Sequence, residues 1–265
     1  MLKVLKTDIN RVFLSKNFYF AVVGMLLVNM LNIWDELMLH SPYWQSTSVL
    51  YFFVYRHGLG GISIISLVLI VMPNALSLSE DFNTGFVKNL YVREGRTKYA
   101  LSKIITTFAA TFIAVFVSYV IFILSLNTFM PLFPAADRME YFRNRIFLFS
   151  LAEQNSLIFF ALHIVLECVS SAFLSMLTLA VSLVVKNKYV LYCIPVMAAK
   201  LCEFLGSALR LPRFLNWNLF RNRTLIGVFE NESTDYVATV MYFVIASVIV
   251  GTIFLLGVRK RVEYA

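Results

Sequence analysis

The sequence predicts an all-α membrane protein that crosses the bilayer six times. Of its 265 residues, 60% are hydrophobic and only 14% are charged, whereas soluble domains carry about 25% charged residues. Six apolar runs reach the roughly 20 residues that a helix needs to cross about 30 Å of hydrocarbon. No run alternates in the manner of a barrel strand, and backbone amides in lipid must be paired within their own segment. Helices are therefore the expected elements.

The six apolar runs define a transmembrane domain over residues 18–258. They are predicted as spans at 18–34, 58–79, 101–126, 158–185, 189–208 and 236–258. The fourth run is long enough to tilt or to extend beyond the bilayer. The predicted external connections are residues 35–57, 127–157 and 209–235. Aromatic residues in the first of these suit the headgroup belt, and the mixture of Leu, Phe and four arginines in the last suits short helices at the outer leaflet.

The segment before the first span, residues 1–17, is amphipathic. Its apolar residues are interspersed with Lys3, Lys6 and Lys16, which predicts a helix lying in the membrane interface. A plain cytosolic leader is the alternative. The apolar run that follows has no small-residue cleavage site, so the first span is expected to remain in the mature protein.

The basic residues predict the orientation. With six spans, the N-terminus, residues 80–103, residues 186–188 and the basic tail 259–265 fall on one side. That side holds 14 of the 23 Lys and Arg residues and nine of the ten lysines, so it is predicted to be cytoplasmic. Both termini are then inside. The net charge of +8 is interpreted as topology and attraction to anionic headgroups, with no nucleic-acid partner.

Two pairs of ionisable residues lie within predicted spans. His163 and Glu167 share a face of the fourth span, and Lys200 and Glu203 are three residues apart on the fifth. One interpretation is a polar patch in a translocation path. The other is a neutralised pair, such as Glu167 with Lys200, that holds adjacent spans together.

A catalytic or metal site is not expected. The three histidines, at positions 40, 57 and 163, form no H-E-x-x-H arrangement, and no nucleophile elbow is present. Cys168, Cys193 and Cys202 lack metal-type spacing and are interpreted as small apolar packing residues. The chain is therefore predicted not to be an enzyme.

The loop from Glu80 to Lys103 concentrates charge in an otherwise apolar chain. Its sequence is EDFNTGFVKNLYVREGRTKYALSK. Gly85 and Gly95 permit turns that other residues resist, so residues 86–94 between them are predicted to form a short helix across the spans. Such a helix suits docking in a groove of a partner protein.

The loop resembles the segment after the second span of ABC-2 type ABC transporter permeases. That segment follows E-x-x-x-x-G-x-x-K-N-x-x-x-x-x-G-x-x-R/K-x-x-x-x-K, and the chain matches it at Glu80, Gly85, Lys88, Asn89, Gly95, Lys98 and Lys103. Phe86 replaces the usual threonine, and Gly95-Arg96-Thr97-Lys98 replaces the usual G-x-S-R. In this respect the chain resembles the small permeases of Gram-positive bacteria that are linked to export of, or immunity to, bacitracin, lantibiotics and bacteriocins.

The resemblance implies a six-helix, type V exporter-like permease in the bacterial plasma membrane. The chain has no G-x-x-x-x-G-K-[ST] loop, so ATP and magnesium are expected on a separate ATP-binding subunit. In the family, the N-terminal helix and this loop contact that subunit, and two permease chains, identical or homologous, enclose the path. The implied coupling residues are Glu80, Asp81, Gly85, Lys88, Asn89, Arg93, Gly95, Arg96, Lys98 and Lys103.

The expected cargo is an amphipathic peptide, antimicrobial or lipid-like molecule, because the spans offer few fixed charges and many adaptable Phe and Met side chains. An unrelated small drug is the other cargo considered. The alternative function is that of a non-ABC membrane immunity or assembly protein, which binds a toxin or partner without transport.

Overall fold

The computed structural model describes residues 2–39, 47–55, 63–83, 95–134, 148, 151, 154–185, 187–209 and 231–261. Helices dominate these residues, and no strand occurs among them. The helices are α1 (Leu2–Phe13), α2 (Lys16–Leu39), α3 (Val49–Tyr55), α4 (Ser63–Leu69), α5 (Ser77–Asn83), α6 (Arg96–Asn127), α7 (Ser156–Val181), α8 (Lys188–Ala208) and α9 (Glu232–Arg261). The predicted all-α fold is confirmed for this part of the chain.

Four of these helices, α2, α6, α7 and α9, are long and apolar enough to cross a membrane. The predicted first, third, fourth and sixth spans fall on them. The predicted fifth span falls on α8, which has 21 residues and contains Pro195, Lys200 and Glu203. The membrane character predicted from composition is therefore supported, and four candidate spans are found in the described residues.

The predicted second span is not one continuous helix. Its described part consists of α4 and α5, separated by turns over residues 70–76. Pro73 lacks the N–H that a continuing helix would need and clashes with the preceding turn. The neighbouring Asn74 instead donates from Nδ2 to the hydroxyls of Thr106 and Thr107, at 3.0 Å each. The break is thus held by hydrogen bonds to α6.

Residues 2–13 of the N-terminal segment form the helix α1, and its predicted position in the membrane interface stays a prediction. α1 ends at Phe13, and Ser15 stabilises the bend into α2: its hydroxyl donates to the Val12 carbonyl at 2.7 Å and accepts from the Phe18 amide at 3.2 Å. The buried face of α1 includes Val12 and also Asp8, and the helix packs against α6. An acidic side chain of this helix therefore points into the bundle.

The predicted external segment 35–57 contains the end of α2 and a further short helix, and its external position stays a prediction. α2 continues to Leu39, and α3 is a buried seven-residue helix. The amides of Val49 and Leu50 donate to the carbonyls of Pro131 and Leu132, at 3.0 and 3.1 Å, which satisfies two of the unpaired donors at a helix start. α3 consists of apolar and aromatic residues, so burial in the core is its favourable position.

α6 and α7 form the centre of the bundle. They pack against each other, α2 and α1 also contact α6, and α9 contacts α7. The side of α6 that faces its neighbours is unusually polar for a span: Tyr99, Ser102, Lys103, Thr106, Thr107, Thr111 and Ser118 are all buried. This polar side positions the site described below.

Several predictions fall outside the described residues. They concern the short helix at 86–94, which includes Lys88, Asn89 and Arg93, the adjoining Gly85, and most of the external segment 209–235. The glycine-dependent turn predicted at Gly95 is present, because Gly95 has φ of 82°, a conformation that favours glycine.

Candidate functional site

The two ends of the charged loop meet inside the protein. Asp81 lies on α5 and Lys103 lies one to two turns into α6. The Lys103 Nζ atom is 2.8 Å from Asp81 Oδ2, and the side chains are only 1% and 0% exposed. Removing two charges from water is costly unless they are paired and hydrogen-bonded, so this contact fixes the start of α6 against α5.

The amphipathic helix α1 supplies further partners. Arg11 Nη1 lies 2.6 Å from Asp81 Oδ1, and Asp8 Oδ1 lies 3.5 Å from Lys103 Nζ. The Ser102 hydroxyl donates to Asp8 Oδ2 at 2.5 Å. Asp8 and Arg11 are three residues apart, so they occupy the same side of α1. Each of them contacts a group at one end of the loop.

Tyr99 completes this group. Its hydroxyl donates to Asp81 Oδ2 at 2.8 Å, and Lys103 Nζ lies 5.4 Å from the centroid of its ring, within the range of a cation–π interaction. Tyr99, Ser102 and Lys103 share one side of α6 because they are three and four residues apart. We call Asp8, Arg11, Asp81, Tyr99, Ser102 and Lys103 the charge cluster.

The charge cluster is electrically balanced, with two carboxylates and two cations. Burial alone would raise the pKa of Asp81, but the charge of Lys103 and the hydrogen bonds from Lys103, Arg11 and Tyr99 outweigh it, so the pKa of Asp81 lies below its usual value. Burial likewise opposes the charge of Arg11, yet its hydrogen bond to Asp81 and the nearby carboxylates raise the pKa of the guanidinium. Both groups are thus held in their charged forms.

A second polar layer lies deeper along α6. Besides the contacts of Asn74, the Thr111 hydroxyl contacts the Ile70 carbonyl at 3.3 Å and the Ser175 hydroxyl at 2.9 Å. The Ile70 carbonyl belongs to the helix break, where helical hydrogen bonding is interrupted. The layer therefore joins the break to α6 and α7, as expected where backbone groups are freed within a membrane protein.

The remaining described loop residues lie at the rim. Glu80 contacts Lys188 at the start of α8, with 3.2 Å between Oε1 and Nζ and both side chains partly exposed. Arg96 and Lys98 are exposed. Of the predicted coupling residues, Asp81 and Lys103 thus face the interior, and Glu80, Gly95, Arg96 and Lys98 border solvent or lipid. Their role in contacting an ATP-binding subunit stays a prediction.

The residues of the predicted intramembrane patch lie on α7 and α8. His163 and Glu167 lie one turn apart on α7, as predicted, and Glu167 is buried. His163 packs against the ring of Phe159, with 4.4 Å between centroids. Lys200 is exposed on α8, and the side chain of Glu203 lies outside the described part. Whether Glu167 pairs with Lys200 stays a prediction.

Sequence reasoning missed four members of the charge cluster, Asp8, Arg11, Tyr99 and Ser102. The sequence did indicate Asp8 and Arg11, because an acidic and a basic residue three positions apart in an amphipathic helix lie on the same side of that helix. The charge cluster can hold three helices, α1, α5 and α6, in a fixed relation and transmit a displacement of one to the others.

Comparison with protein-family models, with curated proteins and with solved structures finds no match to this chain.

Proposed function

We propose that the chain is the transmembrane permease subunit of an ATP-driven exporter of the ABC-2 type. The observation that carries the proposal is the charge cluster, in which Asp81 and Lys103, at the two ends of the loop with the ABC-2-like pattern, contact each other and α1. The loop and α1 are the two parts that the resemblance assigns to contact with an ATP-binding subunit. A rigid connection between them is what such a contact requires.

The proposed mechanism begins at the ATP-binding subunit, which binds the loop and the outer side of α1. When nucleotide binding closes two such subunits, α1 and the loop are displaced together. The ion pair of Arg11 with Asp81 and that of Lys103 with both Asp8 and Asp81 carry this displacement into α5 and α6. Two permease chains, identical or homologous, then alternate between inward-facing and outward-facing states as rigid bodies.

The remaining features of the proposal concern membrane and cargo. The permease crosses the bacterial plasma membrane six times, with α8 and the broken α4–α5 segment adding to the four candidate spans, and both termini are cytoplasmic. The cargo is an amphipathic peptide, antimicrobial or lipid-like molecule. The mostly apolar outer surfaces of the long helices support a substrate that partitions into the membrane rather than a hydrophilic solute.

The test uses the tagged full-length chain, purified from its native membrane together with any ATP-binding subunit that binds it. We expect the two proteins to co-purify and ATP hydrolysis to rise with an amphipathic peptide antibiotic. Arg11→Gln should keep the subunit bound but lose most of this stimulation, because the link from α1 to Asp81 is cut. Lys6→Gln, which removes the same charge from an exposed position of α1, serves as the matched control.

The outcomes separate the candidate functions. If no ATP-binding subunit co-purifies and ATP depletion leaves peptide resistance unchanged, the exporter proposal fails and toxin binding without transport replaces it. If the subunit co-purifies but Arg11→Gln is stimulated like the wild type, the proposed role of the charge cluster is wrong. Lys88→Glu with Arg93→Glu should weaken co-purification, since charges at the edge of an interface govern docking.

A further inference from the structure

Basic side chains collect where the start of α6 meets the end of α9. The Arg259 guanidinium donates from Nη2 to the Thr97 hydroxyl at 3.4 Å, which joins two helix ends that are 162 residues apart in the chain. Arg96 and Lys98 on α6, and Arg259 and Lys260 on α9, are all exposed. We call these four residues the basic rim.

Three acidic side chains of the described helices α1 and α5 are engaged away from the basic rim. Asp8 and Asp81 are buried in the charge cluster, and Glu80 contacts Lys188. Glu94 and Glu263 adjoin the rim in sequence, but residues 94–98 and 259–263 together contain five basic and two acidic residues. Like charges at close range repel, so the local excess of positive charge favours an anion from outside the chain.

An apolar stripe continues directly from the basic rim along α9. Ile249, Ile253 and Leu256 are 51–57% exposed, and they precede Lys260 by eleven, seven and four residues. At about 100° per residue these positions fall within roughly 60° of one another, on one side of the helix. α9 is also the least covered of the four candidate spans.

The same order occurs on the neighbouring helix. On α6, the exposed Ile105 follows Lys98 after seven residues, which is about two helical turns. Gly251 of α9 approaches Ile104 of α6, because a Cβ added at this glycine would lie 3.5 Å from Ile104 Cγ2. The two helices are therefore close to each other at Gly251 and Ile104. On both helices an exposed apolar surface adjoins the basic rim, which lies at the start of α6 and the end of α9.

We propose that this surface binds an anionic phospholipid, with its phosphate headgroup on the basic rim and its acyl chains along the apolar stripe of α9. Clusters of Lys and Arg at the end of a membrane-crossing helix recognise anionic headgroups. An acidic protein surface would match the charges but leave the apolar stripe unused, whereas a phospholipid matches both in the observed order. The binding requires only that α6 and α9 cross the membrane, so it does not depend on transport.

The test measures thermal unfolding of the purified full-length chain in a neutral detergent. Phosphatidylglycerol, phosphatidylcholine of the same acyl length and inorganic phosphate are added separately at equal concentration. We expect phosphatidylglycerol alone to raise the Tm, on the order of 3 °C near saturation. Lys98→Gln with Lys260→Gln should abolish most of this increase, and Lys6→Gln with Lys16→Gln, which removes the same charge elsewhere, should preserve it.

Equal stabilisation of both double variants, equal stabilisation by the two phospholipids, or no stabilisation at all would overturn the proposal. An equal effect of inorganic phosphate would show an anion site without a lipid and would overturn it too. Crosslinking with a photoactivatable phosphatidylglycerol is a second test that uses the wild-type chain. It therefore gives a result even if the variant with substitutions in the basic rim does not fold. The wild-type chain should be labelled between residues 249 and 260, and labelling confined to other helices would contradict the proposal.

Discussion

Replacing Lys103 by methionine tests the energetic role of the charge cluster. Methionine keeps most of the volume of the lysine stem and removes the ammonium group. Asp8 then retains the Ser102 hydroxyl, and Asp81 retains Arg11 and Tyr99. Breaking a buried ion pair by removal of one partner costs about 3–5 kcal/mol, because the other charge stays buried. Because the remaining partners of Asp8 and Asp81 compensate in part for the lost ammonium group, we expect the free energy of unfolding to fall by about 3 kcal/mol, the lower end of this range.

The size of the effect follows from burial, and the chain contains a matched control. Lys188 also contacts a carboxylate, but its side chain is 45% exposed and that of Glu80 is 35% exposed. Exposed ion pairs contribute about 0.2–1 kcal/mol, so Lys188→Met should have at most a small effect. At about 2–4 °C per kcal/mol for a chain of this size, Lys103→Met should lower the Tm by about 6–12 °C.

The assay is thermal unfolding of both variants and the wild type in the same detergent and salt. Raising the ionic strength should reduce the small Tm change caused by Lys188→Met. It should leave the Tm change caused by Lys103→Met nearly the same, because salt screens buried ion pairs only weakly. Equal Tm changes for the two variants would refute the reasoning, since the argument depends on the difference in exposure. A stabilised Lys103→Met would do the same.

Four further predictions concern the fold and its orientation. Asp81 has a lowered pKa when folded, so its contribution to stability is complete above its usual value of 3.8 and is lost as pH falls through the folded pKa; the Tm of Asp81→Asn should therefore fall less steeply in acid than that of the wild type. Asn74→Ala removes two buried hydrogen bonds and should lower the free energy of unfolding by about 1–2 kcal/mol, whereas Thr128→Ala, which removes an exposed hydroxyl contact, should have little effect in the same melt. Gly95→Ala should cost about 1 kcal/mol in chemical unfolding, because φ is 82° although an added Cβ meets nothing within 4 Å. A cysteine introduced in place of Lys186 should not react with an impermeant thiol reagent added outside intact cells, and a reaction there would contradict the predicted orientation.

The sequence was sufficient for the elements that depend on local composition. The long apolar helices and the amphipathic α1 follow from hydrophobicity and its spacing, and Gly95 follows from the conformational freedom of glycine. The break at residues 70–76 was not predicted, although Pro73 marks it. A span predicted from the apolar composition of a long run is hardly affected by a single proline. Proline is tolerated in membrane helices when other groups satisfy the backbone.

The charge cluster was predictable only at its two ends. Asp81 and Lys103 belong to the charged loop from Glu80 to Lys103, but their inward orientation depends on the packing of α1 against α6. The partners from α1 lie 70 to 95 residues away in the sequence, and spacing within one helix carries no information about such pairs. The burial of α3 was missed for the same reason, since its amides are satisfied by carbonyls that follow α6.

The long sequence separation within the charge cluster has a consequence for the order of assembly. Arg11 must wait for Asp81, 70 residues later, and Asp8 must wait for Ser102, 94 residues later. At a synthesis rate of about 5–20 residues per second, roughly 5–20 s pass between the appearance of Asp8 and that of its partner. During this interval the charges of α1 are compensated only by water and headgroups, so α1 stays at the membrane surface. The N-terminal helix, although made first, thus reaches its final position only after α5 and the start of α6 have been made.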